Sequence, residues 1–495
     1  MFDFENFSSA RFYVAPPVEK VIEFSPDGID VENISKVLSL SVDARCDSAE
    51  AYGGYAEITG RANFKLIYVD KENALKGVDY NADFTARVDG DFEDGDNLTC
   101  HIHVAEAEVG AKDSLTLTAA LEICVKRTRR EDVALLTKAD DCYTKTSEMT
   151  LPTFVAQKST TATFFDDANV GGEIDGVLSI NAAAIVTQAE ATDGGAEIKS
   201  KIAARVTYIK DGNIAVQNFE IPLEETINLD GVSAGDALAV QASIKSTKVI
   251  LQGVMGDNVL RIEGEVAYKI QAYRCTKTAV VDDVFMLSND LDIRRQKYAA
   301  KCYLGAEYSN EAVSGIALLG DNRPSATEVV ALPYARCYET KTFVNEDGNV
   351  QVEGVVNTDV IYTDENGLNS VRTEIPFSIT LGKAQEGVEY AAHCKVVGIT
   401  AKVRKEREFE IDVNLAVALS KYCDIDGEYI ESVELGEERA KNTSALSLYI
   451  AGEGEEMLDI CKALYAMPDE ILAQNPNLVF PLKEGEEVVY FRQIG

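Results

Sequence analysis

Hydrophobic and polar residues alternate along most of this chain. Between residues 57 and 68, Ile58, Gly60, Ala62, Phe64, Leu66 and Tyr68 fall on one side of the alternation, with Thr59, Arg61, Asn63 and Lys65 on the other. Successive side chains of an extended backbone point to opposite faces, so a period of two predicts a half-buried β-strand. The pattern returns at Ile198, Ser200, Ile202, Ala204, Val206 and Tyr208, and again at Val352, Gly354, Val356, Thr358, Val360 and Tyr362. Each run meets a stretch rich in Asp, Asn and Gly ("DKEN", "KDGN", "TDENG"), residues that favour tight turns.

The correspondence continues past the turns. Tyr68 to Gly95 and Tyr208 to Gly235 span the same interval, and Tyr362 to Gly387 is two residues shorter. A further alternating strand then aligns Leu98, Cys100, Ile102 and Val104 with Leu238, Val240, Ala242 and Ile244, and with Tyr390, Ala392, Cys394 and Val396. Self-similarity of this kind marks tandem copies of one structural unit. The expected fold is mainly β, with three tandem antiparallel, sandwich-like repeat domains at residues 1–150, 151–300 and 301–440. The segments between copies, roughly 131–170 and 280–330, are too long for linkers and are expected to add strands or helices to their neighbours.

From residue 445 the period changes. Met457, Ile460, Cys461 and Leu464 recur at helical spacing, and Pro468 followed by Asp469 and Glu470 fits a second helix start, where proline needs no donor and acids meet the positive end of the dipole. With "ALSLYIA" before and "EEVVYF" after, residues 445–495 read as a small βααβ module.

The chain has 495 residues and a formal net charge of −36, a field that repels phosphate backbones and anionic lipid. Nucleic acid is therefore not an expected partner. The charge reads first as a solvated surface, and second as a docking surface for a basic partner. No apolar run approaches the roughly 18 residues of a membrane span, and the acidic start "MFDFENFSSARFYV" is unlike a secretory signal. Ten cysteines without a CxxC pair or a disulfide-like spacing point to a reducing compartment.

Candidate chemistry is sparse. His101 and His103 form an H-x-H that could place two imidazoles on one strand face as metal ligands. His101, Gln241 and His393 share a repeat position opposite the apolar set, however, and a solvated strand face is the expectation. Cys100 and Cys394 lie among inward positions and read as buried thiols. The turns "DENG" and "NEDGN" lack the ligand spacing of a calcium loop. With no P-loop, G-x-G-x-x-G or G-x-S-x-G, no catalytic residue, metal or cofactor is assigned, and the expectation is a non-enzymatic protein.

Two resemblances add to this reading. The terminal stretch resembles a LysM domain: "GEGEEMLDI" follows that family's "GD-x-L-W-D-I" run, with Leu458 where many members carry tryptophan, and "EILAQNPNL" follows its "I-x-x-x-N-P-x-L" end. The resemblance implies a groove between two adjacent loops, with Gly452, Gly454, Glu455, Met457, Leu458, Asn475, Pro476, Asn477 and Leu478 as partner- or glycan-binding candidates. The three repeats resemble the SPOCS domain of spore-morphogenesis proteins in clostridia and their relatives, through the "G-x-x-x-x-x-[IV]-x-Y" strand and the "EIPL" and "EIPF" segments. Three such domains followed by a LysM imply a cytoplasmic mother-cell scaffold at the forespore surface. Its LysM would bind the coat ATPase known as stage IV sporulation protein A, with other coat or cortex proteins as further partners. Peptidoglycan or chitin binding is the alternative.

Overall fold

A computed structural model of the chain describes residues 1–26, 31–111, 114–254, 257–320, 322–438 and 445–492. Residues 439–440 at the end of the third repeat and 493–495 of the terminal module lie outside the described residues.

The first unit contains β1 (Phe2–Val14), β2 (Val18–Phe24), β3 (Ile34–Tyr52), β4 (Tyr55–Asp70), β5 (Leu75–Asp89), β6 (Asn97–Ala111) and β7 (Leu115–Ala139). β3, β4 and β5 form an antiparallel meander; in a second sheet β1 and β2 share one edge of β7 and β6 takes the other. The second unit repeats this plan with β8 (Tyr143–Asn169), β9 (Ile174–Thr192), β10 (Gly195–Lys210), β11 (Asn213–Asn228), β12 (Ala237–Val254) and β13 (Asp257–Phe285). Here the meander is β9-β10-β11 and the other sheet is β8-β13-β12. In the third unit, β14 (Asn289–Leu318), β19 (Val388–Lys405) and β20 (Glu408–Glu438) form one sheet. In its other sheet β15 (Glu328–Ala331) and β16 (Arg336–Val344) share one edge of β17 (Asn349–Asp364), opposite β18 (Gly367–Lys383). The inter-repeat segments contribute strands: the ends of β7 and β13, all of β8 and β14, and most of the short strand β15.

Each core lies where the alternation puts it. Ile58, Phe64 and Leu66 of β4 face Leu117, Leu121 and Ile123 of β7; Ile198, Ile202 and Val206 face Leu260, Ile262 and Val266; Val352, Val356 and Val360 face Ile411, Val413 and Leu415. Burying one such side chain contributes about 1.5–3 kcal/mol, so these clusters dominate each unit's stability. The motif glycine has a packing reason. Gly60 is paired with Phe84 and Gly354 with Phe377, and a Cβ built at either glycine would sit 2.5 or 2.7 Å from the facing ring.

The outer faces of the sheets also meet. Lys65, Arg205 and Asp359 hold one repeat position, three residues before the aligned tyrosines. Lys65 of β4 donates to Asn181 of β9. Arg205 of β10 donates to the Leu332 and Ile399 carbonyls of the third unit. Asp359 of β17 receives Arg372, which donates onward to the Leu40 and Ala107 carbonyls of the first. One position thus links first to second, second to third and third to first, closing a ring. Next along the strands lies an apolar cluster of Leu38, Ile67, Leu178, Ala331 and Ile361, drawn from all three units. A second shared cluster is aromatic, with Phe12, Phe154, Tyr273, Tyr303 and Tyr422. Cys275 and Cys302 are brought side by side between the second and third units, an apposition of which their scattered spacing carried no sign.

The chain ends in β21 (Leu446–Ile450), α1 (Met457–Leu464), α2 (Pro468–Gln474) and β22 (Glu487–Phe491), with β21 and β22 antiparallel. Ile460, Cys461, Leu464, Ile471 and Val488 form its core, completed by Phe285 of β13 and Tyr143 of β8. Lys462 pairs with Asp283, so the module sits on the second unit rather than on the third, which precedes it in sequence.

Candidate functional site

The nine residues proposed from the sequence all lie on the terminal module. The turn at Gly454, where φ is +83°, lies beside the irregular segment leading to β22: the Gly454 N–H donates to the Leu482 carbonyl at 2.9 Å and the Leu482 N–H to the Glu455 carbonyl at 2.9 Å. The Glu455 carboxylate accepts from the Gly452 N–H at 3.0 Å and the Tyr449 hydroxyl at 2.8 Å. Leu458 is buried in the module core, and Met457 and Leu478 pack against it. The Asn475 side chain is taken up by structure, donating to the Ile471 and Val489 carbonyls and accepting from the Val489 N–H at 2.9 Å. Gly454, Pro476 and Asn477 remain exposed.

A different surface of the module is more open. β21 turns Leu446, Leu448 and Ile450 outward, 55%, 56% and 63% exposed, and Phe491, the register partner of Leu446, is 60% exposed beside them. Every second residue of β21 is apolar and uncovered.

Between the three sandwiches lie two adjoining cavities of about 890 and 880 Å³. Both take residues from all three units, because β6, β12 and β19 bring their equivalent positions together around the middle of the ring. Here the solvated strand face expected for the histidines is overturned. The rings of His101 and His393 stand 5.5 Å apart, those of His103 and His393 6.0 Å, and Gln241 donates to the Cys100 carbonyl beside them. The face opposite each sandwich core looks across these cavities at the neighbouring units rather than out to bulk solvent, and the three histidines are half-buried. Burial, with the adjacent His103 and lysines, holds His101 down to about 4, and burial holds His393 well below the usual imidazole range. The cluster is therefore neutral near pH 7. Among the described residues no group of three or more His, Cys, Asp or Glu is placed to hold a metal ion.

The second cavity is basic. Lys395 of β19 donates to the Ala184 and Ala242 carbonyls at 2.8 and 2.9 Å, Lys269 of β13 to the Leu98 carbonyl, and Lys126 of β7 to the Tyr422 hydroxyl at 3.0 Å. Among the described residues none of the three forms an ion pair. Burial lowers Lys395 to about 8 and lowers Lys269 in the same direction, against the opposing effect of Cys46 and Cys100. This constellation was missed from the sequence, although the shared position of His101, Gln241 and His393 was visible there. No described hydrogen bond joins one of these histidines to a hydroxyl or thiol nucleophile.

The family model described as SipL, SPOCS domain matches residues 173–252 and 334–404 of this chain. These segments cover β9 to most of β12 and β16 to β19 with little beyond, the same portion of the second and third sandwiches. No curated protein and no solved structure matches the chain. No helix of the described residues is long and apolar enough to cross a membrane.

Proposed function

We propose that this protein is a non-enzymatic scaffold of endospore coat and cortex assembly, acting in the mother-cell cytoplasm at the forespore surface. Its ring of SPOCS-like sandwiches is the rigid body, and its terminal module, read as a LysM domain, docks onto a coat ATPase of the stage IV sporulation protein A type. The SPOCS matches support the sporulation setting. The observation that carries docking through the module is the outward apolar strip Leu446, Leu448, Ile450 and Phe491, since a contiguous exposed apolar patch marks an interaction surface and its burial favours association. In a reducing cytoplasm Cys275 and Cys302 would stand as thiols.

The strip does not line the module core, so polar substitutions there leave the fold intact. Leu448→Glu with Ile450→Glu is expected to abolish capture of the ATPase by the purified full-length chain. Retention of capture by that variant, or by a chain lacking residues 445–495, refutes the assignment. Glycan binding is favoured by a separate observation, the exposed Gly454 on one loop and Pro476 and Asn477 on its neighbour. Titration with chitin oligomers tests it: binding lost on Asn477→Ala supports that alternative, and no binding removes it.

A further inference from the structure

The second cavity concentrates charge of the wrong sign for this molecule. In a chain of net charge −36, it is lined by Arg45, Lys126, Lys245, Lys269 and Lys395 against the single lining carboxylate Asp47, which is paired with Arg45 at 2.8 Å, while Lys245 at the rim is paired with Glu265 at 2.9 Å. Carboxylates are abundant in the sequence, yet the hydrogen bonds described for Lys126, Lys269 and Lys395 go to carbonyls and to a tyrosine hydroxyl, with Lys126 also over the rings of Phe12 and Tyr422. Holding several unpaired cations together in a sheltered space costs free energy by desolvation and by mutual repulsion. A bound anion removes both costs. Gln271 stands among the bases, its Oε1 accepting from Thr99 at 3.0 Å and its Nε2 donating to Gln157 at 2.8 Å, which leaves one amide N–H to offer. The bases come from four strands of the first and second units and one of the third, so the site exists only when the ring is closed.

We propose that this central cavity is a binding site for a compact multivalent oxyanion, a phosphate ester or a polycarboxylate, held by Lys126, Lys269 and Lys395 at the junction of the three sandwiches. The charged groups and histidines that share the cavity with Lys395 are His101 on β6, His393 on β19, Lys269 on β13, Lys245 on β12, Arg45 and Asp47 on β3 and Lys126 on β7, and the remaining titratable groups are thiols and phenols: Cys46, Cys100, Tyr268, Tyr273, Tyr303, Tyr308 and Tyr422. Asp47 is the one carboxylic acid among them. Occupation by an anion would bind the units to one another, because the ligand bridges bases from different sandwiches.

The test is thermal unfolding of the full chain at pH 7 with pyrophosphate or citrate, each against sodium chloride of equal ionic strength. Either anion is expected to raise the midpoint by several degrees beyond the salt control. A rise with pyrophosphate alone assigns the phosphate class, and a rise with citrate alone the carboxylate class. Lys126→Gln with Lys269→Gln keeps a donor at each position while removing two charges, and is expected to weaken binding at least about tenfold. Should that variant fail to fold, Lys245→Gln serves: Lys245 is 52% exposed at the cavity rim, and its loss is expected to weaken binding about threefold. The proposal is overturned if neither anion acts beyond the salt control, or if binding is undiminished in the folded variant.

Discussion

His101, Gln241 and His393 occupy one repeat position, and the ring brings that position together at its centre. Two of the three can titrate, and both are held below the ordinary imidazole range by burial. The unfolded chain therefore binds protons below about pH 6.5 that the folded chain refuses, down to about pH 4 for His101, and stability falls as pH drops below about 6.5. The loss is at most about 1.4 kcal/mol per pH unit for each group. His393→Gln, which copies the second unit, is expected to flatten the acid limb of a urea-midpoint versus pH curve and leave the midpoint at pH 8 little changed. The motif glycine gives a second prediction. Gly60→Ala places a Cβ 2.3 Å from the Arg45 carbonyl and 2.5 Å from the Phe84 ring, and is expected to destabilise by about 1–3 kcal/mol in denaturant unfolding.

At the scale of the element, strand faces were legible and what covered them was not. The predicted inward sets of β4, β10 and β17 line the three cores, and the terminal helices fall at their expected spacing. The opposite faces carry Arg, Asn, Lys, His, Thr and Ala, a composition that serves equally against water and against a polar seam, so alternation alone could not separate the two. The repeat register could have done so, since three copies arranged around one centre place equivalent residues side by side. In the terminal module, Asn475 resembles a ligand-binding residue in sequence, yet its amide ties the end of α2 to β22. Asn475→Ala leaves the Val489 N–H and two carbonyls without that partner, and is expected to cost about 2–3 kcal/mol and to expose the module to limited proteolysis while residues 1–438 stay resistant.

At the scale of the molecule, the three polar links close a ring, and a ring responds to damage differently from a linear string of domains. Arg205 is buried enough that its guanidinium is held down to about 10, so its bonds to Leu332 and Ile399 are made in a sheltered seam where replacements from water are poor. Arg372 does the same work between the third and first units, with Asp359 as counter-ion. Arg205→Met opens one seam, but the third sandwich remains held through Arg372, and the reverse holds for Arg372→Met. Each single change is expected to lower the urea midpoint by an amount equivalent to about 2–3 kcal/mol, with one cooperative transition preserved. Changing both removes the arginine link to each neighbour at once and leaves the third sandwich held by Lys395, by Arg336 on Asp43 and by the shared apolar clusters. The double variant is expected to lose more than the sum of the singles, because the sites share one closed set of contacts. Its unfolding should separate into two transitions, and its radius of gyration in solution scattering should grow. Strict additivity with a single transition would show that the apolar clusters, and not the arginine links, hold the ring.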